Sequence, residues 1–345
     1  MIFVTGGAGY IGTHTCVALL HAGYDVTVFD NFCNSQPQAL RQVELLSGRA
    51  VNIVEGDVRD YDALVRALGA SGADVVVHLA GLKSVSESGK NPQGYHETNV
   101  VGTQRLIEAM RDCGLRKLIF SSSATVYGQP ERIPVLEDQP LNPCNTYGAT
   151  KLSAENLLRD ACASDEHWQV FLLRYFNVAG AHPSGILGES PNGENHHLLP
   201  RLAQVALGHK EYFELMGTDY AGADGTGVRD YVHVMDIARG HLHALRALDR
   251  CGGCTSVNLG SGKGHSVLQV LRTFEAATGR TVPYRAVPRR SGDLDCYYAD
   301  VTLAAQLLDW RAALGLERMC EDAWRWHLTH PHGYTQQETD TWQRE

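Results

Sequence analysis

Val4-Thr5-Gly6-Gly7-Ala8-Gly9-Tyr10-Ile11-Gly12 lies between an apolar run at residues 2–5 and a helix-like stretch at 11–22. Its glycines Gly6, Gly9 and Gly12 have the G-x-x-G-x-x-G spacing of a strand-to-helix turn. Gly6 permits the tight turn, Gly9 lets backbone approach a pyrophosphate, and Gly12 lets the helix pack closely on the strand. The helix start then offers unpaired N–H groups and a positive dipole end to a diphosphate. Glycines alone also suit a simple packing turn, so the context decides. The next apolar run ends at Asp30, whose carboxylate accepts hydrogen bonds from a ribose diol and repels a 2′-phosphate. No Arg follows until Arg41, so the pattern selects NAD over NADP.

Working outward, apolar runs recur at residues 25–29, 51–54, 74–79, 118–121 and 170–173. Helix-like segments at 11–22, 60–68, 95–113 and 147–163 alternate with them. Consecutive Val, Ile, Leu and Phe indicate strands buried on both faces. The predicted fold is α/β, a Rossmann-like doubly wound parallel sheet with ligands at the carboxyl ends of its strands. Beyond about residue 178 the rhythm changes, and residues 180–228 are rich in Gly, Pro, His and Asn around a helix-like island at 198–207. A helix near 232–248 and a strand near 256–259 read as a return to the first sheet. Segments 266–278, 284–287, 303–308 and 317–330 suit a smaller mixed α/β C-terminal domain. The expected division is 1–178 plus about 229–262 for the dinucleotide, and 179–228 plus 263–345 for the substrate.

Composition narrows the class. The 345 residues are 43% hydrophobic and 20% charged, the balance of a globular enzyme and not of a disordered chain. A net charge of −9 without a basic stretch argues against nucleic acid or an anionic membrane as partner. No run of ~18 apolar residues is present, so no membrane span is expected. Nine cysteines, odd in number and scattered, are unlike a secreted disulfide framework. The start, Met1-Ile2-Phe3-Val4, has no leader pattern, and the expectation is a cytoplasmic protein. Cys251-Gly252-Gly253-Cys254 has CxxC spacing but lacks a second pair or a His-x3-His, so it reads as ordinary thiols.

Tyr147-Gly148-Ala149-Thr150-Lys151 opens a predicted helix and puts both side chains on one face at i and i+4. A phenol is a poor base at neutral pH, but a neighbouring ammonium and a positive nicotinamide both stabilise phenolate. With 14 Tyr in the chain the spacing alone is weak. Its position after the fifth strand strengthens it, because Ser121-Ser122-Ser123 ends that strand. Ser123 is placed to hydrogen-bond a reacting oxygen, although serines at strand ends are also ordinary turn residues.

Together, the glycine turn, the strand-end serines and Tyr-x-x-x-Lys resemble the extended short-chain dehydrogenase/reductase family. Further stretches resemble its UDP-glucose 4-epimerase branch. These are Asp30-Asn31 with Asn34-Ser35, residues 78–83, 120–128, 172–177 and 180–185, and the more selective 224–236 and 289–294. The resemblance covers nearly the whole chain and implies an isomerase that interconverts UDP-glucose and UDP-galactose with tightly held NAD. It implies that Tyr147 takes the proton of the sugar 4-hydroxyl while hydride passes from C4 to NAD+. The 4-keto sugar then turns over in a closed pocket and receives hydride on its other face. Lys151 would hold the NAD ribose and Ser123 the 4-oxygen. Carried over residue by residue, Tyr10, Ile11, Asp30, Asn31, Asn34, Ser35, Asp57, Val58, Leu79, Ala80, Gly81, Lys83, Asn99 and Phe176 would contact NAD.

The same resemblance assigns the UDP-sugar to Asn177, His197, Leu198, Glu214, Leu215, Met216, Arg229, Arg290, Asp293 and Tyr297. Arginine forks suit phosphate oxygens. His197 stands where the family often has Asn. The His196-His197 pair lacks a third ligand, so no metal site is expected. Tyr297 falls at a pocket-wall position where bulk crowds the sugar C2 substituent, which predicts a preference against N-acetylated sugars. Helices near 95–113 and 147–163 are expected to form a homodimer. Two enzyme alternatives are a sugar-nucleotide 4,6-dehydratase and a dehydrogenase with exchangeable NAD. Ser123-Ala124-Thr125 lacks the acidic pair that commonly serves elimination. A non-enzymatic NAD-sensing regulator would not need Tyr147 and Lys151, and both are present.

Overall fold

Seven parallel strands form the large sheet: β1 (Ile2–Thr5), β2 (Val26–Asp30), β3 (Asn52–Glu55), β4 (Val75–His78), β5 (Lys117–Ser123), β6 (Gln169–Tyr175) and, after a long excursion, β10 (Gly253–Leu259). The structure is a computed structural model and describes residues 1–193, 195–250, 252–289 and 293–334. The sheet order is β10-β6-β5-β4-β1-β2-β3, with the chain reversing its winding direction between β1 and β4. That reversal leaves a crevice at the carboxyl ends of the two strands. The inner strands are buried because helices cover both faces, which explains their largely apolar character, whereas the edge strand β3 is mostly exposed.

The predicted helices at 11–22 and 60–68 are Tyr10–His21 and Tyr61–Ser71, and Tyr147 lies in the helix Thr146–Ser164. The predicted helix over 95–113 is instead broken. Pro92–His96 runs through a π-helical turn, Glu97–Val101, into Gly102–Asp112. A π turn adds one residue to the winding, and here it carries Asn99. The helix Pro37–Ser47, with Pro at its start, was not anticipated.

The excursion between β6 and β10 holds β7 (Asn177–Ala179), β8 (Phe213–Met216) and β9 (Val228–His233). Strands β11 (Gly264–Ser266) and β13 (Cys296–Tyr297) join β7 on β9, while β12 (Tyr284–Val287) pairs with β8. Around them the helices Leu198–Ala206, Val267–Thr278 and Leu316–Thr329 close a second core of residues such as Leu202, Phe213, Phe274 and Met319. The helix Val234–Ala247 and β10 pack in the first core, where Leu308 and Trp310 join them.

Several histidines are buried uncharged. Burial pushes His14 and His78 down to about 3, and His241 and His327 to about 4. His78 sits between Thr5 Oγ1 at 2.7 Å and Thr103 Oγ1 at 3.0 Å. Folded values below the unfolded ~6.5 mean that the unfolded chain binds more protons beneath that pH. Their stability contribution is therefore present above pH ~6.5 and is lost as pH falls toward 4. We expect roughly 2 kcal/mol less stability per buried imidazole at pH 5 than at pH 7. Urea unfolding midpoints across that range check it, and a flat profile would refute the assignment.

Candidate active site

One cavity of about 700 Å³ runs from the glycine turn, across the ends of β1, β4 and β5, to the second core. Gly6 adopts φ +70°, and a Cβ there would lie 2.5 Å from the Ala80 nitrogen. A Cβ on Gly12 would collide with the Gly6 carbonyl oxygen, whereas at Gly9 only that oxygen, at 3.3 Å, is near. The turn is thus closed against its own protein and open above Gly9. That shape fits a dinucleotide diphosphate resting on backbone. Ala8 N, Phe32 N and Ser35 Oγ donate to Asp30 at 3.0, 2.9 and 3.0 Å. Burial pushes the Asp30 carboxyl up and these bonds oppose it. A carboxylate at the end of β2, fixed by three donors, suits a ribose diol.

Around this cradle Gly6, Gly9, Tyr10, Ile11, Gly12, Asp30, Asn31, Asn34, Ser35, Val58, Leu79, Ala80, Gly81, Lys83 and Phe176 all line the cavity. Two sequence-assigned residues do not. Asn99 is buried at the π turn, accepts from Leu82 N at 2.8 Å, and donates to Leu82 O at 3.0 Å and Thr150 Oγ1 at 3.1 Å. It therefore shapes the 79–83 loop from behind. Asp57 accepts from Asn31 Nδ2 at 2.9 Å, and hydrogen bonds from Arg59 help hold its carboxyl down at about 2. Its neighbours Gly56 and Val58 face the cavity in its place.

The strand-end and helix residues meet as their spacing predicts. Asn145 caps the helix Thr146–Ser164 by accepting from Gly148 N at 2.8 Å, which fixes the entry of the turn bearing Tyr147. Lys151 is buried, donates to Ser121 O at 2.8 Å and lies 4.9 Å from the Phe120 ring centroid. Burial brings its ammonium down to about 8, with Glu155 pulling the other way. Burial pushes the Tyr147 phenol up to about 12, and its hydrogen bond with Ser123 opposes that rise. Ser123 Oγ also accepts from Thr125 N at 3.2 Å and Thr125 Oγ1 at 3.0 Å. Thr125 was missed in the sequence because nothing in its spacing distinguishes it from an ordinary turn threonine.

Across the cavity lie Asn177, His197, Leu198, Glu214, Met216, Arg229, Asp293 and Tyr297. Leu215 departs from its assignment. The alternation along β8 turns its side chain into the second core while Glu214 and Met216 face the cavity. Arg290 lies outside the described residues. Arg229 Nη2 donates to Asp293 Oδ1 at 3.3 Å, and Tyr220 Oη donates to Asp293 Oδ2 at 3.1 Å. His197 Nδ1 lies 2.9 Å from Glu189 Oε2, and Lys83 Nζ donates to Glu189 Oε1 at 2.5 Å. Burial raises the Glu189 carboxyl, but Lys83 and then His197 outweigh it and hold the group well below the usual range. Sequence reading missed Glu189, since a lone Glu in a Gly- and Pro-rich stretch carries no period or motif. Tyr297 is buried against Phe176, with ring centroids 5.4 Å apart, and donates to Ala124 O at 2.6 Å. No group of His, Cys, Asp and Glu that could hold a metal occurs among the described residues, and no described helix is long and apolar enough to cross a membrane.

Known proteins share this arrangement. Residues 2–260 match the NAD dependent epimerase/dehydratase family. UDP-glucose 4-epimerase of Bos taurus is 48% identical over 340 residues, covering 96% of this chain and 98% of that protein. The Bacillus subtilis enzyme is 48% identical over 333 residues with the same coverage. The crystal structure of UDP-glucose 4-epimerase from Bifidobacterium longum, in complex with NAD+ and UDP, superposes with a TM-score of 0.93 at 44% identity, covering 96% of this chain and 99% of that one. With the glycine turn, Asp30 and the Tyr147–Lys151 helix converging on one crevice, the chain belongs to the NAD dependent epimerase/dehydratase family.

Proposed function

We propose that this protein is an NAD-dependent UDP-glucose 4-epimerase that interconverts UDP-glucose and UDP-galactose through a transient 4-keto sugar. The observation that carries the reading is one cavity bounded by the glycine cradle, by Ser123, Tyr147 and Lys151, and by Arg229. Bound NAD supplies the acceptor, and then the donor, of the C4 hydride. Tyr147 takes the proton from the 4-hydroxyl and later returns it. Ser123, already bonded to Tyr147, positions the 4-oxygen beside the phenol. Lys151, fixed on Ser121 O, places a positive charge near the phenol and holds the cofactor ribose. Gly6, Gly9, Gly12, Asp30 and Lys83 seat the dinucleotide, with Asn99 and Asp57 supporting that wall.

The diphosphate of the sugar nucleotide falls to Arg229 and Arg290. Asn177, His197, Leu198, Glu214, Met216, Asp293 and Tyr297 shape the rest of its site, and Leu215 offers only backbone. In this reading 1–178 with about 229–262 hold NAD, and 179–228 with 263–345 close over the sugar, so that the ketone turns over without escaping. The eight described cysteines are free, which supports a reducing, cytoplasmic compartment. A homodimer through the first domain belongs to the same reading, and light scattering of the pure protein tests it.

Incubation of the NAD-loaded protein with UDP-galactose, without added cofactor, should yield UDP-glucose up to a fixed equilibrium ratio. Absence of interconversion would overturn the reading. Tyr297 accounts for substrate range, because its ring fills the wall over Phe176. Tyr297→Cys should raise the rate with UDP-N-acetylglucosamine about tenfold or more relative to UDP-glucose, given ~1–3 kcal/mol for relief of such crowding. An unchanged ratio would place the sugar C2 substituent elsewhere.

A further inference from the structure

The helix Thr146–Ser164 lies against β10, the edge strand of the large sheet. Glu155, Arg159 and Cys162 follow one another at helical spacing, while Cys254, Ser256 and Asn258 alternate along one side of the strand. The two stripes meet rung by rung. Glu155 reaches Asn258 through Arg174 and Tyr127, with Arg174 Nη1 donating to Tyr127 Oη at 2.9 Å and Tyr127 Oη to Asn258 Oδ1 at 2.6 Å. Arg159 Nη2 donates to Ser256 Oγ at 2.9 Å. On the next rung Cys162, three residues beyond Arg159, and Cys254, two before Ser256, come to the same place, each thiol the foremost influence on the other's titration. Both are free, half-buried, and packed at the margin of one apolar core. The spatial partner of Cys254 thus comes from another element, and Cys251 of the CxxC stretch lies outside the described residues.

We propose that Cys162 and Cys254 form a redox site that closes reversibly into a disulfide, tying the far end of the Tyr147 helix to β10. The Cys254 thiol, with Arg159 beside it, draws the Cys162 thiol below its ordinary value, while Cys254 is raised. Cys162 is therefore the attacking sulfur. The oxidant is a small-molecule disulfide such as glutathione disulfide. The Cys162 thiolate attacks one of its sulfurs, breaks the S–S bond and releases one thiol. Cys254 Sγ then attacks Cys162 Sγ, the mixed disulfide breaks and a second thiol leaves. Two protein thiols are oxidised, one external disulfide is reduced, and the two protons pass to the released thiolates. Excess small thiol reverses both steps.

The bond would enclose the whole excursion from β7 to the start of β10. It lies some four turns of helix, about 22 Å, from Tyr147, so it acts on unfolding and leaves turnover alone. The test treats the NAD-loaded full chain with glutathione disulfide, alkylates residual thiols under denaturing conditions and maps the peptides. The expected result is a Cys162–Cys254 link, reversed by dithiothreitol, with a thermal midpoint raised by about 5 °C and epimerisation unchanged. Cys251→Ser should still form the link, and Cys254→Ser should leave Cys162 as the glutathione adduct. A Cys251–Cys254 link in its place would overturn the proposal. So would two thiols that stay unmodified in the folded protein yet react after unfolding.

Discussion

Tyr147→Phe should keep its NAD and lose about a thousandfold in turnover, roughly 4 kcal/mol of barrier, because positioned proton transfer is worth ~10²–10⁴. The substitution removes one oxygen from a ring whose helix is fixed independently, by the Asn145 cap and by Lys151 on Ser121 O. Cofactor seating, which the proposed function assigns to the glycine turn and Asp30, should be untouched. The measurement pairs single-turnover rates on UDP-galactose with the NAD content of the purified variant. Wild-type turnover would remove Tyr147 from the chemistry, whereas loss of NAD together with activity would make its role structural. The electrostatics explain why the phenol needs help. Burial, only partly opposed by the Ser123 hydrogen bond, pushes it up to about 12, a direction that disfavours the base form at neutral pH. Lys151, brought down to about 8 by burial, is still mostly protonated at pH 7, and in the proposed function it supplies part of the compensating positive charge.

The second large effect is on stability. Arg174→Met should destabilise the fold by about 3–5 kcal/mol, because it strands the Glu155 carboxylate without its main partner. Both side chains are buried, 1% and 0% exposed, and Arg174 Nη2 donates to Glu155 Oε2 at 2.7 Å. The guanidinium also holds Tyr127 Oη at 2.9 Å. Calorimetry should find the midpoint lower by roughly 10 °C. A double change, Arg174→Met with Glu155→Leu, should recover part of the loss, since no charge is then left unpaired. A double variant no better than the single one would assign the loss to packing. Glu155 Oε1 also accepts from Ser122 Oγ at 2.6 Å, so the pair underlies the strand end that carries Ser123.

Some of the site was legible because its chemistry depends on local spacing. Gly6, Gly9 and Gly12 satisfy steric demands within one turn, and Tyr147 with Lys151 share a helical face by period alone. The strand ends at Asp30 and Ser123 followed from the largely apolar runs that precede them. Residues defined by partners far along the chain were not legible. Glu189 gains its meaning from Lys83, 106 residues away, and from His197. Leu215 shows the opposite error, because a motif position does not say which way a strand residue points. The predicted helix over 95–113 failed at the π turn for a related reason. One inserted residue leaves composition and period almost unchanged, while it sends Asn99 to Leu82 and Thr150.

Local spacing along the chain already specified the doubly wound sheet, the carboxylate at the end of β2 and the tyrosine–lysine pair. Each depends on residues a few positions apart, where backbone geometry leaves few alternatives. Only long-range packing brings the second wall against the first, sets the Tyr297 ring beside that of Phe176, and places Cys162 by Cys254. Those juxtapositions come from packing between distant segments, and a linear chain encodes them only through the sum of many weak burial and hydrogen-bonding energies.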